Sequence, residues 1–257
     1  KPGGHGWLNL TQAIEVSCNF FFYEIGRRAG IAKIDEVAKK LGLGSKTGIE
    51  LPDEIAGTLA GPEVDKQWTG GKTIQTAIGQ SYNDYTPLQM AKYTAMIANG
   101  GKNIDVTIVK SINNPDGTIV SRNELDSYIH NKLGVETNSG SDLNISSTDL
   151  EAVKNGMKNV TSDESGTAYK YFKDFSISIG GKTGSASIGN SGHANAWFVG
   201  FGPFENPKIA VAVYVKRGEH GAYTAPIARD IFAQYFGMNA VEIKEDMSVN
   251  SEMMSIR

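Results

Sequence analysis

The chain has one cysteine, Cys18, among its 257 residues, so no disulfide can form within it and cysteine usage does not separate a reducing from an oxidising compartment. It has no apolar run near the ~20 residues that a membrane-spanning helix needs. Nothing close to Lys1 has the charged and apolar regions of a signal peptide. Neither sign of charge dominates: the formal net charge is −3 with acidic and basic residues interspersed, which excludes a basic field able to draw nucleic acid or anionic lipid. Repeats and low-complexity tracts are absent. Lys72, in Gly70-Gly71-Lys72-Thr73, lacks the G-x-x-x-x-G-K-[ST] spacing of a phosphate loop. Hydrophobic residues make up 40% of the chain, enough for a substantial core, and the length fits one large globular unit.

Against these absences stands Lys182-Thr183-Gly184-Ser185, which closes the alternating stretch from Phe175 to Gly181 and precedes two apolar stretches, Trp197–Gly202 and Lys208–Val215. It reads as the tip of a strand at the edge of a sheet. A cation, a hydroxyl and an unobstructed backbone at such an edge suit a substrate carboxylate and an extended peptide pairing with the main chain. Gly184 lets that peptide lie close. Far upstream, Ser17-Cys18-Asn19 falls between two stretches of helical spacing, 11–16 and 19–28, the second stopped at Gly30. Ser17 has a purely local reading as the cap of the following helix.

Between these two triplets the pattern predicts an amphipathic helix over 31–41 and a long irregular loop over 44–75. A helix starts at Thr86-Pro87 and runs to Ala98. Strands over 103–109 and 118–120 flank the turn Asn113-Asn114-Pro115-Asp116-Gly117. A mobile excursion follows over Glu136–Asn144. Helices over 147–160 and 227–236 complete the outline.

The two triplets, in this order, together with Gly6–Ala13, Tyr82–Gln89, Ala196–Phe201 and the Gly166-Thr167-Ala168 turn, resemble the transpeptidase domain of class B penicillin-binding proteins. The resemblance runs from Gly6 to about Gly237. It implies an α/β fold of the penicillin-binding transpeptidase and serine β-lactamase type, an antiparallel sheet flanked by helices. It also implies that the chain holds only part of that fold, because no serine here has a lysine three residues later. The S-x-x-K nucleophile and two strands of the sheet are expected upstream. Residues 1–240 are then the C-terminal part of the domain, with a peripheral insertion at about 103–146, and 241–257 a C-terminal tail. A protein that has lost its nucleophile is the competing reading.

By the resemblance, Ser17 relays a proton to the leaving nitrogen, Asn19 bonds the substrate amide, and Lys182 holds Ser17 and lends positive potential. Thr183 and Ser185 bind the substrate carboxylate, Gly184 opens the strand, and the Ser185 N–H supplies one oxyanion donor. The implied activity is peptidoglycan D,D-transpeptidation through a serine acyl-enzyme, with β-lactams as covalent ligands. The alternatives are a D,D-carboxypeptidase and a non-catalytic sensor of β-lactam or peptidoglycan. Expected partners are stem peptides ending in D-Ala-D-Ala, the upstream part of the same domain and the cell-wall synthesis machinery, at the outer face of the cytoplasmic membrane, and no nucleic acid. Catalysis needs no cofactor. If the family topology brings Cys18, His193 and His220 to one end of the cleft, they could hold a structural zinc ion. The other reading is a buried inert thiol and two exposed imidazoles.

Overall fold

Asn9 starts the first regular element by a reciprocal cap, its side chain accepting from the Gln12 N–H while Gln12 returns a bond to the Asn9 N–H. The computed structural model describes residues 4–133, 142–189 and 191–238. Helices α1 (Leu10–Glu15), α2 (Asn19–Ala29) and α3 (Ile31–Lys40) follow in close succession, so Ser17-Cys18-Asn19 does lie at a helix–helix joint. Helix α4 (Gly70–Thr76) lies inside the stretch predicted to be loop. Two adjacent glycines hide it from a propensity reading, and the Thr69 side chain, accepting from the Lys72 N–H, starts it. Helix α5 (Pro87–Ala98) has the expected Thr86 cap, completed by Gln89. Helix α6 (Arg122–Leu133), which buries Leu125 and Ile129 four residues apart, was not foreseen. Helix α7 (Ser147–Ser162) is capped one residue earlier than expected, by Ser146, and is followed by the short α8 (Tyr169–Phe172).

Strands β1 (Gly180–Ser187), β2 (Ala194–Gly202) and β3 (Ile209–Val215) form an antiparallel sheet in the order β1-β2-β3, and α9 (Ala225–Tyr235) follows. Phe198 on β2 is fully buried, stacked on Phe172 of α8 at 5.7 Å, and Phe172 in turn meets Phe232 of α9. Phe201 points to the opposite face by strand alternation. There it stacks on Phe204, with the Lys154 ammonium of α7 5.7 Å from its ring. Two aromatic layers therefore bind helices to both faces of the sheet.

Two predicted elements differ. The alternating residues 175–179 are not strand, because the Ser178 carbonyl accepts from the Phe204 N–H at 2.8 Å and the Ile179 carbonyl from the Thr161 hydroxyl at 2.6 Å. The paired strands over 103–109 and 118–120 do not form either. The Glu50 carboxylate takes the Ile108 N–H at 2.9 Å and the Thr107 hydroxyl, tying that stretch to another loop. Only the turn remains, closed by an antiparallel bridge between Asn113 and Ile119. Of the expected excursion over Glu136–Asn144, residues up to 141 lie outside the described residues, as does the 241–257 tail.

Among the described residues β3 pairs only with β2, which leaves one of its edges open. On α9, Ile227, Ile231 and Tyr235 recur every fourth residue and are 45%, 40% and 54% exposed, an apolar stripe facing solvent. No helix of the described residues is long and apolar enough to cross a membrane. An open edge beside an apolar stripe predicts that this chain alone lacks a cooperative fold. Thermal unfolding of the isolated chain, followed by circular dichroism, should be broad and accompanied by dye binding to exposed apolar surface; one sharp transition would contradict this.

Candidate active site

Ser17 terminates α1 in the left-handed region, at φ +51°. The Ser17 N–H donates to the Ile14 carbonyl at 3.2 Å and the Cys18 N–H to the Ala13 carbonyl at 2.9 Å. These are the paired bonds of a Schellman closure, whose left-handed position usually holds glycine. A residue with a Cβ there costs about 1–2 kcal/mol. The hydroxyl that glycine would lack accepts a hydrogen bond from the Lys182 ammonium, which also donates to the Thr183 carbonyl at 2.9 Å.

Helix α7 brings these two residues together. On one side it receives α1: the Thr11 hydroxyl donates to the Ala152 carbonyl at 3.1 Å and the Asn159 amide to the Glu15 carboxylate at 2.9 Å. A Cβ on Gly156 would lie 2.8 Å from the Ile14 Cβ, so the helices touch where only glycine fits. At its C-terminal end the Thr161 hydroxyl holds the Ile179 carbonyl, one residue before β1.

Burial pushes the Lys182 ammonium down to about 8. No carboxylate of the described residues pairs with it; both of its bonded partners are neutral oxygens. The Thr183 hydroxyl shares a hydrogen bond with that of Thr167 at 2.8 Å. Thr167 sits in a turn closed by the Ala168 N–H on the Val160 carbonyl at 2.9 Å. The Ser185 hydroxyl accepts from the Gly221 N–H at 2.9 Å. Gly221 begins a 3₁₀ turn, Gly221–Thr224, pressed so closely on β1 that a Cβ on it would lie 2.3 Å from the Gly184 carbonyl oxygen. The Ser185 carbonyl accepts from the Gln80 side-chain amide at 3.0 Å. Asn19, the first residue of α2, is exposed and lines a cleft of about 750 Å³ with Tyr23, Lys72, Gln80 and Ser187; its carboxamide makes no hydrogen bond to another described residue.

Sequence reasoning thus selected residues that do meet, Ser17 and Lys182, and placed Thr183, Gly184 and Ser185 on one strand beside them. It missed Gln80 and Gly221 as neighbours of Ser185, and it saw the Thr167 turn only as a local resemblance. The expected convergence of Cys18, His193 and His220 does not occur. Cys18 is buried in the α1–α2 joint. The His193 ring pairs with Glu219 at 2.7 Å. The His220 ring nitrogen accepts from the Ala222 N–H at 3.2 Å, capping the 3₁₀ turn. Among the described residues no group of His, Cys, Asp or Glu side chains is arranged to hold a metal ion.

Residues 2–233 match the family described as the penicillin binding protein transpeptidase domain. The chain is 30% identical over 286 residues to the peptidoglycan D,D-transpeptidase MrdA of Haemophilus influenzae, covering 100% of this chain and 42% of that protein. It is 34% identical to penicillin-binding protein H of Bacillus subtilis, over 82% of this chain and 31% of that protein. The chain therefore spans well under half the length of these curated relatives. Among solved structures, Pseudomonas aeruginosa PBP2 in complex with WCK 5153 superposes with a TM-score of 0.77 at 28% identity, over 98% of this chain and 53% of that one. The complex of Helicobacter pylori PBP2 with MreC gives 0.75 at 29% identity, over 94% and 42%.

Removing the Ser17 hydroxyl in two ways separates its backbone cost from its bonding. In the intact protein, Ser17→Gly should be more stable than Ser17→Ala by about 1 kcal/mol, the reverse of the order in a helix interior, because only glycine tolerates φ +51° freely. Chemical denaturation of both variants measures the difference.

Proposed function

The chain belongs to the penicillin-binding protein transpeptidase family, and from that premise we propose that it forms the C-terminal part, residues 1–240, of a domain that cross-links peptidoglycan stem peptides through a serine acyl-enzyme. The observation that carries this reading is the Lys182–Ser17 contact: a buried ammonium without a carboxylate partner among the described residues, held by a hydroxyl in a costly backbone conformation. Such an arrangement keeps positive potential beside β1 for an anionic ligand and places a protonatable oxygen next to it.

In the proposed chemistry, a serine oxygen supplied upstream attacks the carbonyl of the penultimate D-alanine, and the bond to the terminal D-alanine nitrogen breaks. The attacking serine's proton goes to the lysine of its own S-x-x-K motif and is relayed by Ser17, held for the task by Lys182, to that nitrogen; a stem-peptide amine then attacks the ester and frees the serine. The Ser185 N–H lies on the same strand edge as its carbonyl and donates to the oxyanion. The Thr183 and Ser185 hydroxyls take the terminal carboxylate, with Thr167 bonded to Thr183 beside them, and Asn19 reaches the substrate amide across the cleft. A β-lactam presents the same carboxylate and acyl carbonyl and acylates the same serine.

The open edge of β3 and the α9 stripe support an upstream segment of the same domain as the chain's immediate partner. Stem peptides ending in D-Ala-D-Ala are the substrate. The relatives solved with MreC and in a peptidoglycan synthase complex support assembly with the cell-wall machinery, at the outer face of the cytoplasmic membrane. The roles assigned to the site residues require no metal.

Intact-mass analysis after incubation with a fluorescent penicillin should place the adduct on the upstream part of the parent protein. Label on this chain alone would refute the assignment. Ser17→Ala and Lys182→Ala in the parent should each lower the acylation rate by about 10²–10⁴-fold, the usual yield of a positioned proton-transfer group. Lys182 carries its charge below about 8 and loses it above. Acylation by a carboxylate-bearing penicillin should therefore hold steady up to that pH and fall as pH rises through it, whereas the residual rate of Lys182→Ala should show no such fall.

A further inference from the structure

Gln80 occupies a position that the proposed chemistry leaves unexplained. It follows Gly79, whose φ of +80° closes the end of α4, with the Gly79 N–H on the Thr76 carbonyl at 2.9 Å and the Gln80 N–H on the Gln75 carbonyl at 3.0 Å. Ser81 is left-handed as well, at φ +71°. A rigid bend thus presents Gln80, which is half-buried and lines two cavities at once. One is the cleft that contains Asn19. The other, about 470 Å³, is walled by Ile55, Met90, Trp197 and Tyr214.

The Gln80 amide donates to the Ser185 carbonyl at 3.0 Å, across 105 residues of sequence. In an antiparallel strand the N–H and C=O of one residue face the same edge, and residues two apart share that edge. The Thr183 carbonyl accepts from Lys182 and the Ser185 carbonyl from Gln80, which marks this as the edge of β1 that β2 does not use. An extended acyl donor adding to that edge would offer a main-chain N–H to the Ser185 carbonyl. A glutamine carboxamide offers the same kind of donor.

We propose that Gln80 is a built-in stand-in for the substrate amide, satisfying the Ser185 carbonyl until an acyl donor displaces it, and so biasing the site by the presence or absence of an amide N–H beside the acyl carbonyl. This rests on the transpeptidase reading above. A ligand with that N–H must exchange one hydrogen bond for another. A ligand without it leaves Gln80 where it is.

The test compares acylation rates of the full-length parent protein by benzylpenicillin, which has the acylamide N–H, and by penicillanic acid, which lacks it. Gln80→Ala should raise the first rate about three- to tenfold, the scale of one competing neutral hydrogen bond, and change the second less than about twofold on the same scale. Gln80→Met keeps nearly the size, is uncharged and has no donor, and should match Gln80→Ala. An equal fall of both rates would overturn the proposal, because Gln80 would then be a support for the strand. Unchanged rates in both variants would overturn it too. If the unsubstituted parent is acylated by neither probe, the transpeptidase reading itself fails and takes this proposal with it.

Discussion

The separation between α1 and β1 is set by α7, and every feature of the site depends on it. Along its middle α7 takes α1 against Gly156, so closely that no side chain fits between them; at its C-terminal end its Thr161 hydroxyl holds the residue before β1. Ser17 ends α1 at its Schellman closure, and the Lys182 ammonium lies against the Thr183 carbonyl of β1. Their contact is the result of two rigid dockings on one helix.

Two local costs are concentrated at this contact and are compensated elsewhere. Ser17 holds a backbone conformation better suited to glycine, and Lys182 holds a buried charge with only neutral oxygens as partners. Neither contributes to stability. The aromatic stacks of Phe172, Phe198, Phe201, Phe204 and Phe232 provide the surrounding rigidity that keeps both in place. The division is familiar for a site whose partner is a ligand: the fold tolerates an unsatisfied electrostatic demand so that the ligand can meet it.

How much of this was legible in the sequence varied with the kind of signal. Helices with a polar cap and an apolar period, such as α5 and α7, were readable to within two residues, and so was α3 from its apolar period and the glycine after it, because these signals are local. Helix α4 was not, since Gly70 and Gly71 argue against a helix and only the tertiary setting overrides them. The 103–109 stretch was read as strand on β-branched residues, but its backbone groups are claimed by Glu50, a partner about sixty positions away that no window includes. The same limit applied at the site. Ser17, Asn19 and the Lys182–Ser185 run were legible because they form compact triplets in a recognisable order. Thr167, Gln80 and Gly221 reach that run from separate turns; the first was legible only as part of a turn resembling the family's, and nothing in the sequence tied Gln80 or Gly221 to Ser185. Cys18, His193 and His220 are the converse: residue types suited to a metal, which the topology leaves apart.

Sequence separation also governs when the site can come into being. Ser17 and Lys182 are 165 residues apart, and Gln80 and Ser185 are 105 apart. A chain synthesised from its N-terminus presents Ser17 long before β1 exists. The entropy of closing such loops must be met by contacts that form only once β1 is zipped to β2. Assembly of the site is therefore among the last events of folding, and its presence reports that the rest of the chain is already in place.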